Sequence, residues 1–267
     1  MSSGMLTQVI NNLSRTGETI QTFSGLPPKA IPIQHNVQNA IDVLLPDIKQ
    51  MQHEVTSWGL KLEAQLDEKL AVLESLSPAE LALFIRQSKK DISRVTDQVK
   101  KVKESTKNTD NTVIENNKAL QRIIINLQES IASLESDLQG SQQKLEALNK
   151  QKLIFVAMGM LGLSRLSILM SQIFDMQNKV GQLVHQIQLL QFDIRQQQSF
   201  VTQTGAFSQG LLVLSNQMLR IDNTIEMISN DIRNAEKNVS GGEAQQLTKL
   251  FFTAAKMSVR TLLVDAS

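Results

Sequence analysis

The sequence has no cysteine and no tyrosine, and only 4% of its 267 residues are aromatic. Without cysteine the chain can form neither a disulfide nor a thiolate metal site. Cysteine usage therefore does not indicate whether the protein resides in an oxidising or a reducing compartment. Large globular cores depend on the burial of aromatic side chains, which this composition cannot supply to any extent. These absences argue against an ordinary compact globular domain.

A charge bias is also missing, since 27 Lys and Arg residues face 26 Asp and Glu residues, for a net charge of +1. Nucleic-acid-binding proteins usually present a basic face, so no nucleic-acid partner is expected. The histidines His35, His53 and His185 lie far apart and in no metal-ligand spacing, so neither a metal nor a cofactor is predicted. With no phosphate-binding glycine loop, HExxH motif or cysteine nucleophile, we predict no catalytic residues and no enzyme.

The N-terminal residues Met1 to Leu6 lack a basic region followed by a long apolar core. A standard secretory signal peptide is therefore not expected, and export of this chain would use another route.

Proline is confined to the first 78 residues, which permits very long helices in the remainder. Apolar residues at steps of three and four predict a short helix over residues 6–23 and a second helix from about 36 to 76, with a kink or restart at Pro46. The segment from Gly25 to Pro32 predicts a connector. Ser77, Pro78 and Glu80 form a capping-box pattern that predicts the start of a third helix.

Beyond Ser77 the apolar residues follow a 3.5-residue repeat as far as Leu148, apart from Ser141 and a polar patch over residues 105–111 that could be a hinge or a weakly packed stretch. Further stripes cover residues 176–194 and 211–232, with a bend expected near Gly205 and Gly210. A last short helix is expected from residue 243 to about 264, after a glycine pair that ends the long helix. The pattern predicts an all-α fold, an elongated bundle built on a long antiparallel helical hairpin.

The expected division of the chain is an N-terminal helix with its connector over residues 1–34, a tail bundle over residues 35–150 and 175–240, an apolar head over residues 151–174 and a C-terminal helix over residues 243–267. The head reads LIFVAMGMLGLSRLSILMSQIF from Leu153 to Phe174, and Arg165 is its only charge. A helix that is apolar all round must be buried in protein or in lipid. Each flanking helix would be on the order of 100 Å long, and a short connection makes such helices antiparallel neighbours. The head would then be the tip of a hairpin, with little protein around it.

The depth of insertion has two solutions. One helix of this length would span roughly 33 Å, enough for a bilayer core, but would place Arg165 near the middle at a cost of about 2.5–3.5 kcal/mol. If the chain instead turns near Gly159 to Arg165, each half of the head would enter only half of the bilayer core, and the Arg165 side chain could extend to the lipid headgroups. We expect insertion into one leaflet, and we expect the soluble form to cover its tip in a homo-oligomer or by folding it back. An ordinary buried helix is the alternative for this segment.

The layout of short terminal helices, long central helices and a mid-chain apolar head resembles the cytolysin A superfamily of α-helical pore-forming toxins. The stretch VAMGMLGLSRLSILM, residues 156–170, is similar to the head of the smallest component of three-component toxins of Gram-negative bacteria, relatives of haemolysin BL and the non-haemolytic enterotoxin. The resemblance implies a secreted subunit that binds the lipid bilayer of a host cell and recruits larger homologous components to form a lytic pore. The membrane-contacting residues that it implies are Leu153, Ile154, Phe155, Val156, Met158, Met160, Leu161, Leu163, Leu166, Ile168, Leu169 and Met170.

A coiled-coil scaffold, with or without membrane attachment through the same segment, is the alternative function. The helical stripes fit it equally well, and the position of the apolar segment at the tip is what favours the toxin component. Because the apolar run is short for a full span, this chain alone is not expected to form a complete pore.

Overall fold

The computed structural model describes residues 4–157, 163–241 and 245–267. In these ranges five α-helices follow one another, with a 3-10 turn over Leu73–Ser75 between the second and the third. The helices are α1 (Met5–Gln21), α2 (Ile31–Ala71), α3 (Pro78–Ala157), α4 (Leu163–Gly241) and α5 (Gln245–Ala266). No strand occurs in these described ranges, and the predicted all-α class is confirmed.

The start of α3 confirms the capping box. The backbone N–H of Ser77 donates to Glu80 Oε2 at 2.9 Å, and the Ser77 hydroxyl donates to the same oxygen at 2.7 Å. The backbone N–H of Glu80 donates in return to Ser77 Oγ at 3.3 Å. These bonds, the hydroxyl bond foremost, lower the pKa of the Glu80 carboxyl below its ordinary value.

Two helices continue through the residues at which proline and glycine predicted an irregularity, so the predicted restart of α2 at Pro46 is wrong. Helix α2 begins at Ile31 and continues through Pro46, because Leu44 and Ile48 on either side of the proline are fully buried and tertiary packing holds the helix together. Helix α4 likewise continues through Gly205 and Gly210. A Cβ atom at Gly210 would lie 2.7 Å from Leu13 Cδ2 of α1, so this glycine permits a close approach of two helices.

The chain forms two compact units. Unit 1 comprises residues 1–22, 34–116 and 203–267, and it contains α1, most of α2, the first part of α3, the second part of α4, and α5. Within it, Lys89 Nζ lies 2.9 Å from Glu236 Oε2 and Lys103 Nζ lies 3.0 Å from Asp222 Oδ2. Each advance along α3 is matched by an equal retreat along α4, so these parts of the two helices are antiparallel.

The other helices of unit 1 enclose an apolar core. Ion pairs from Lys256 to Asp67 and from Arg260 to Glu63 hold α5 antiparallel to α2. The largest fully buried side chains of this core include Phe207, Phe252, Leu6, Leu13, Ile41, Leu44, Ile48, Met51, Leu62 and Leu66. Packing of this apolar face, more than local propensity, stabilises such helices.

The polar patch over residues 105–111 contributes two residues to the unit 1 core. Thr106 and Thr109 are buried, and the Thr106 hydroxyl donates to the carbonyl oxygen of Val102 at 2.8 Å. The patch is therefore a polar layer within a continuous helix, in which the hydroxyl finds its partner one turn back along α3.

Unit 2 comprises residues 23–33 and 117–202. Apart from the connector, it contains only the second part of α3 and the first part of α4, which we call the hairpin (residues 117–157 and 163–202). Leu120, Ile124, Ile187 and Ile194 are buried, whereas the seam leucines from 134 to 148 are half-buried.

Candidate membrane-binding site

The apolar head lies where the two helices of the hairpin end. Five residues connect Ala157, the last residue of α3, to Leu163, the first of α4. A trans chain advances at most about 3.8 Å per residue, so the connection spans no more than roughly 23 Å. Parallel helices of this length would need a far longer connection. The two helices of unit 2 are therefore antiparallel, and the head is at the closed end of the hairpin.

The predicted turn from Gly159 to Arg165 is partly wrong, because Leu163 to Arg165 already belong to α4. The residues Met158, Met160 and Leu161 lie outside the described residues, as does the rest of that predicted turn up to Gly162. The side chains of Leu163, Arg165 and Leu166 are also outside the described set, and only their helical backbone is assigned.

The described side chains of the head fall into two groups. Leu153, Ile154, Val156, Ile168 and Met170 are exposed, with exposed fractions from 42% for Met170 to 68% for Leu153. Phe155 is half-buried, and Leu169 is buried at 5% exposure.

Helical geometry explains this division. Phe155 continues the seam of α3 that runs through Leu145 and Leu148, and Leu169 begins the seam of α4 with Ile173 four residues on. The exposed residues lie off these seams, on the outer faces of the hairpin, where helices in water normally carry polar side chains.

Phe174 is a site residue that the sequence analysis did not select. It closes the apolar segment, is 61% exposed and lies one turn beyond Met170 on α4. No local sequence pattern distinguished it from its neighbours, since its place one residue after buried Ile173 depends on the rotation of α4 against α3. We define the exposed head as Leu153, Ile154, Val156, Ile168, Met170 and Phe174.

Exposed apolar side chains also occur in unit 1, but their surroundings differ. Leu83 is 68% exposed, as Leu153 is, yet Glu80 and Arg86 occupy the neighbouring turns of its helix. Singly exposed apolar residues of this kind are normal on a protein surface, whereas a cluster rimmed by polar residues marks an interaction site.

Two negative findings delimit the site. Across the residues that the structure describes, no helix has both the length and the mean hydropathy needed to cross a bilayer. Over those same ranges, no three His, Cys, Asp or Glu side chains are grouped as a metal site requires.

Comparison with known proteins places the chain in a family. No family model and no curated protein matches the sequence. Among solved structures, a triple head mutant of soluble AhlC, from the tripartite α-pore-forming toxin AHL of Aeromonas hydrophila, is 37% identical over 99% of this chain and 98% of its own, with a TM-score of 0.85. The structure of soluble AhlC itself is 37% identical over 100% and 98% of the two chains, with a TM-score of 0.82.

The fold is shared more widely. XaxA from Xenorhabdus nematophila is 12% identical over 98% of this chain and 91% of its own, with a TM-score of 0.66. At that identity the likeness concerns the helical architecture alone, whereas the likeness to AhlC extends to the sequence along nearly the whole of both chains. The chain therefore belongs to the cytolysin A-type family of α-pore-forming toxins, in the group formed by AhlC.

Proposed function

We propose that this toxin-family member is the membrane-binding component of a multi-component pore-forming toxin. Its exposed head enters one leaflet of a host-cell bilayer, and the bound chain recruits larger homologous components that complete a lytic pore. The observation that carries the proposal is the exposed head, six large apolar side chains uncovered at the closed end of the hairpin. The role requires no catalysis and no cofactor.

The dimensions of the exposed head support insertion into a single leaflet. Leu153 is four residues from the end of α3, and Phe174 is eleven residues from the start of α4. At 1.5 Å per residue the apolar side chains extend back roughly 6–16 Å from the helix ends. Half of a bilayer core is about 15 Å thick, so the exposed head matches one leaflet and does not reach the second.

The membership in the AhlC group supports the dependence on partners. AhlC is one component of a tripartite toxin, and a protein of that group acts together with other chains. We extend this to the present chain, together with secretion from the producing cell, and assign recruitment of the larger components to the bound form.

In solution the apolar side chains of the exposed head must be shielded from water. Apolar surface of this kind is unfavourable in water, and contiguous patches beyond a few hundred Å² are rare on monomers. We propose that copies of this chain associate and shield one another's heads. Light scattering should give a mass above the 29.7 kDa of one chain. An extended monomer at high concentration would contradict the proposal.

The test of function is release of a trapped dye from liposomes, by this chain alone and with the partner components encoded beside its gene. Binding to liposomes without release by the chain alone, followed by release in combination, is the expected result. Release by this chain alone would contradict the dependence on partners. No release in any combination, with no flotation alongside liposomes, would support the scaffold instead.

A further inference from the structure

The closed end of the hairpin carries an excess of positive charge. Five basic residues and two acidic residues occur from residue 144 to residue 179, in a chain whose net charge is only +1. Four lysines in this range flank the exposed head, and we call them the basic collar: Lys144, Lys150, Lys152 and Lys179. Lys144, Lys150 and Lys179 are exposed and Lys152 is half-buried.

The collar lysines have no ionic partners within the chain. Within the described ranges, none of the four forms an ion pair or a hydrogen bond. The ion pairs of the described residues all lie in unit 1, where Lys61 and Lys89, for example, each meet a carboxylate, although other lysines of that unit are unpaired as well. The collar is therefore distinguished by its position beside the exposed head, and its cations are available to an anion outside the chain.

Their spacing along the helices matches the headgroup layer of a bilayer. Lys152, Lys150 and Lys144 are five, seven and thirteen residues from the end of α3, and Lys179 is sixteen residues from the start of α4. These separations correspond to roughly 8, 10, 20 and 24 Å of helix. With the head in a leaflet core of about 15 Å, Lys144 and Lys179 lie at the level of the phosphates. Lys150 and Lys152 can extend their ammonium groups toward that level along the apolar surface.

The lysines also surround the hairpin. Lys144, Lys150 and Lys152 are separated by six and two residues, which places them on different sides of α3. Lys152 occupies a seam position between Leu148 and Phe155, where packing would favour an apolar residue. An ammonium group at that position is well placed only if its tip meets water or an anion.

We infer that the basic collar binds the phosphate and carboxylate groups of anionic phospholipids, so that the chain prefers anionic over zwitterionic membranes. The inference rests on the proposed insertion of the exposed head. The head supplies apolar affinity for any bilayer, and the collar adds a contribution that depends on lipid charge. A lysine near an anionic bilayer surface strengthens binding about fivefold.

The test compares full-length variants on two kinds of vesicle, phosphatidylcholine alone and phosphatidylcholine mixed with phosphatidylserine. Lys150→Gln with Lys152→Gln should weaken partitioning onto the mixed vesicles by roughly 25-fold, at about fivefold per lysine, and should not weaken it on phosphatidylcholine. The matched control is Lys118→Gln with Arg122→Gln, which removes the same charge from exposed, unpaired positions of α3 in the same unit. These positions are roughly 50–60 Å from the end of α3, far beyond the ~8 Å over which charge acts at physiological salt.

The outcomes separate the inference from the function beneath it. If the parent chain binds both kinds of vesicle equally and the collar substitutions change nothing, the inferred role of the basic collar is wrong. The proposed insertion of the exposed head is then unaffected. An equal loss in the control pair would also overturn the role of the collar, since net charge rather than position would then matter. Failure of the parent chain to bind either vesicle would overturn the proposed function itself. A collar variant with altered mass in solution and unaltered vesicle binding would assign the lysines to contacts between copies.

Discussion

Two substitutions in the exposed head give the sharpest test of how this molecule works. Leu153→Ser on α3 and Ile168→Ser on α4 remove apolar side chains that are 68% and 59% exposed. Because neither side chain is packed in the hairpin seam, their loss should leave helicity and thermal stability close to those of the parent chain. Any fall in membrane binding then reports on the surface itself.

The expected magnitude follows from the exposed fractions. Full burial of a leucine or isoleucine side chain contributes about 1.5–3 kcal/mol, so burying the exposed part of each contributes roughly 1–2 kcal/mol. The pair together contributes about 2.5 kcal/mol, which corresponds to a partition coefficient lowered by on the order of 50–100-fold. The hydroxyl groups left in the leaflet add a further cost.

A matched pair exists in unit 1. Leu83 and Leu250 are 68% and 60% exposed, so Leu83→Ser with Leu250→Ser removes the same kind of surface from helices α3 and α5 outside the head. Flotation of each variant with phosphatidylcholine vesicles measures the partition coefficient, and circular dichroism monitors the fold. The head pair should lose binding and the control pair should keep it. Equal binding by both pairs would refute the assignment of the head, and equal loss by both would refute its restriction to the hairpin end.

Two further predictions concern the fold. Phe252→Ala removes a fully buried ring that packs edge-on against Phe84, with 5.5 Å between the ring centroids. The substitution should lower the free energy of unfolding by about 3–5 kcal/mol, measured by denaturant titration. A decrease below about 1 kcal/mol would contradict this expectation, because it would mean that the surrounding side chains fill the cavity. Ser77→Ala should raise the pKa of Glu80 toward its ordinary value, as followed by NMR titration. Since that pKa is lowered in the folded chain, the bonds to Glu80 stabilise the helix start above its ordinary pKa of 4.5 and are lost as pH falls through the lowered value. The variant keeps the backbone N–H bond to Glu80, so this pH dependence should be reduced and not abolished. An unchanged titration of Glu80 would contradict the capping-box explanation.

The candidate site was only partly accessible to sequence reasoning. The apolar segment could be located because a helix without a polar face stands out against amphipathic neighbours. Which of its residues face outward could not be known without the structure, because it depends on which side chains of α3 and α4 face each other in the seam. Leu169 was expected at the membrane and is buried in this structure, whereas Phe174 was not selected and is exposed. The choice between adjacent positions depends on the rotation of α4 against α3, which no local pattern specifies.

The signal from proline was wrong about helix continuity, because packing prevailed over propensity. Pro46 was expected to kink or restart α2, and α2 does not restart there but continues to Ala71. An interior proline weakens a helix by about 3 kcal/mol, and burial of several neighbouring side chains at about 1.5–3 kcal/mol each exceeds that loss.

Sequence patterns were sufficient to predict the helical class, the start of α3 at its capping box, and the place of the apolar segment between two long helices. These properties are encoded in spacings of three to seven residues, and such short-range patterns do not depend on contacts between distant parts of the chain. The tertiary structure was needed to show which apolar side chains stay uncovered, that Gly210 contacts Leu13, and that the lysines beside the head have no ionic partner in the chain. Each of these depends on residues that are distant in the chain and brought together by the antiparallel pairing of helices.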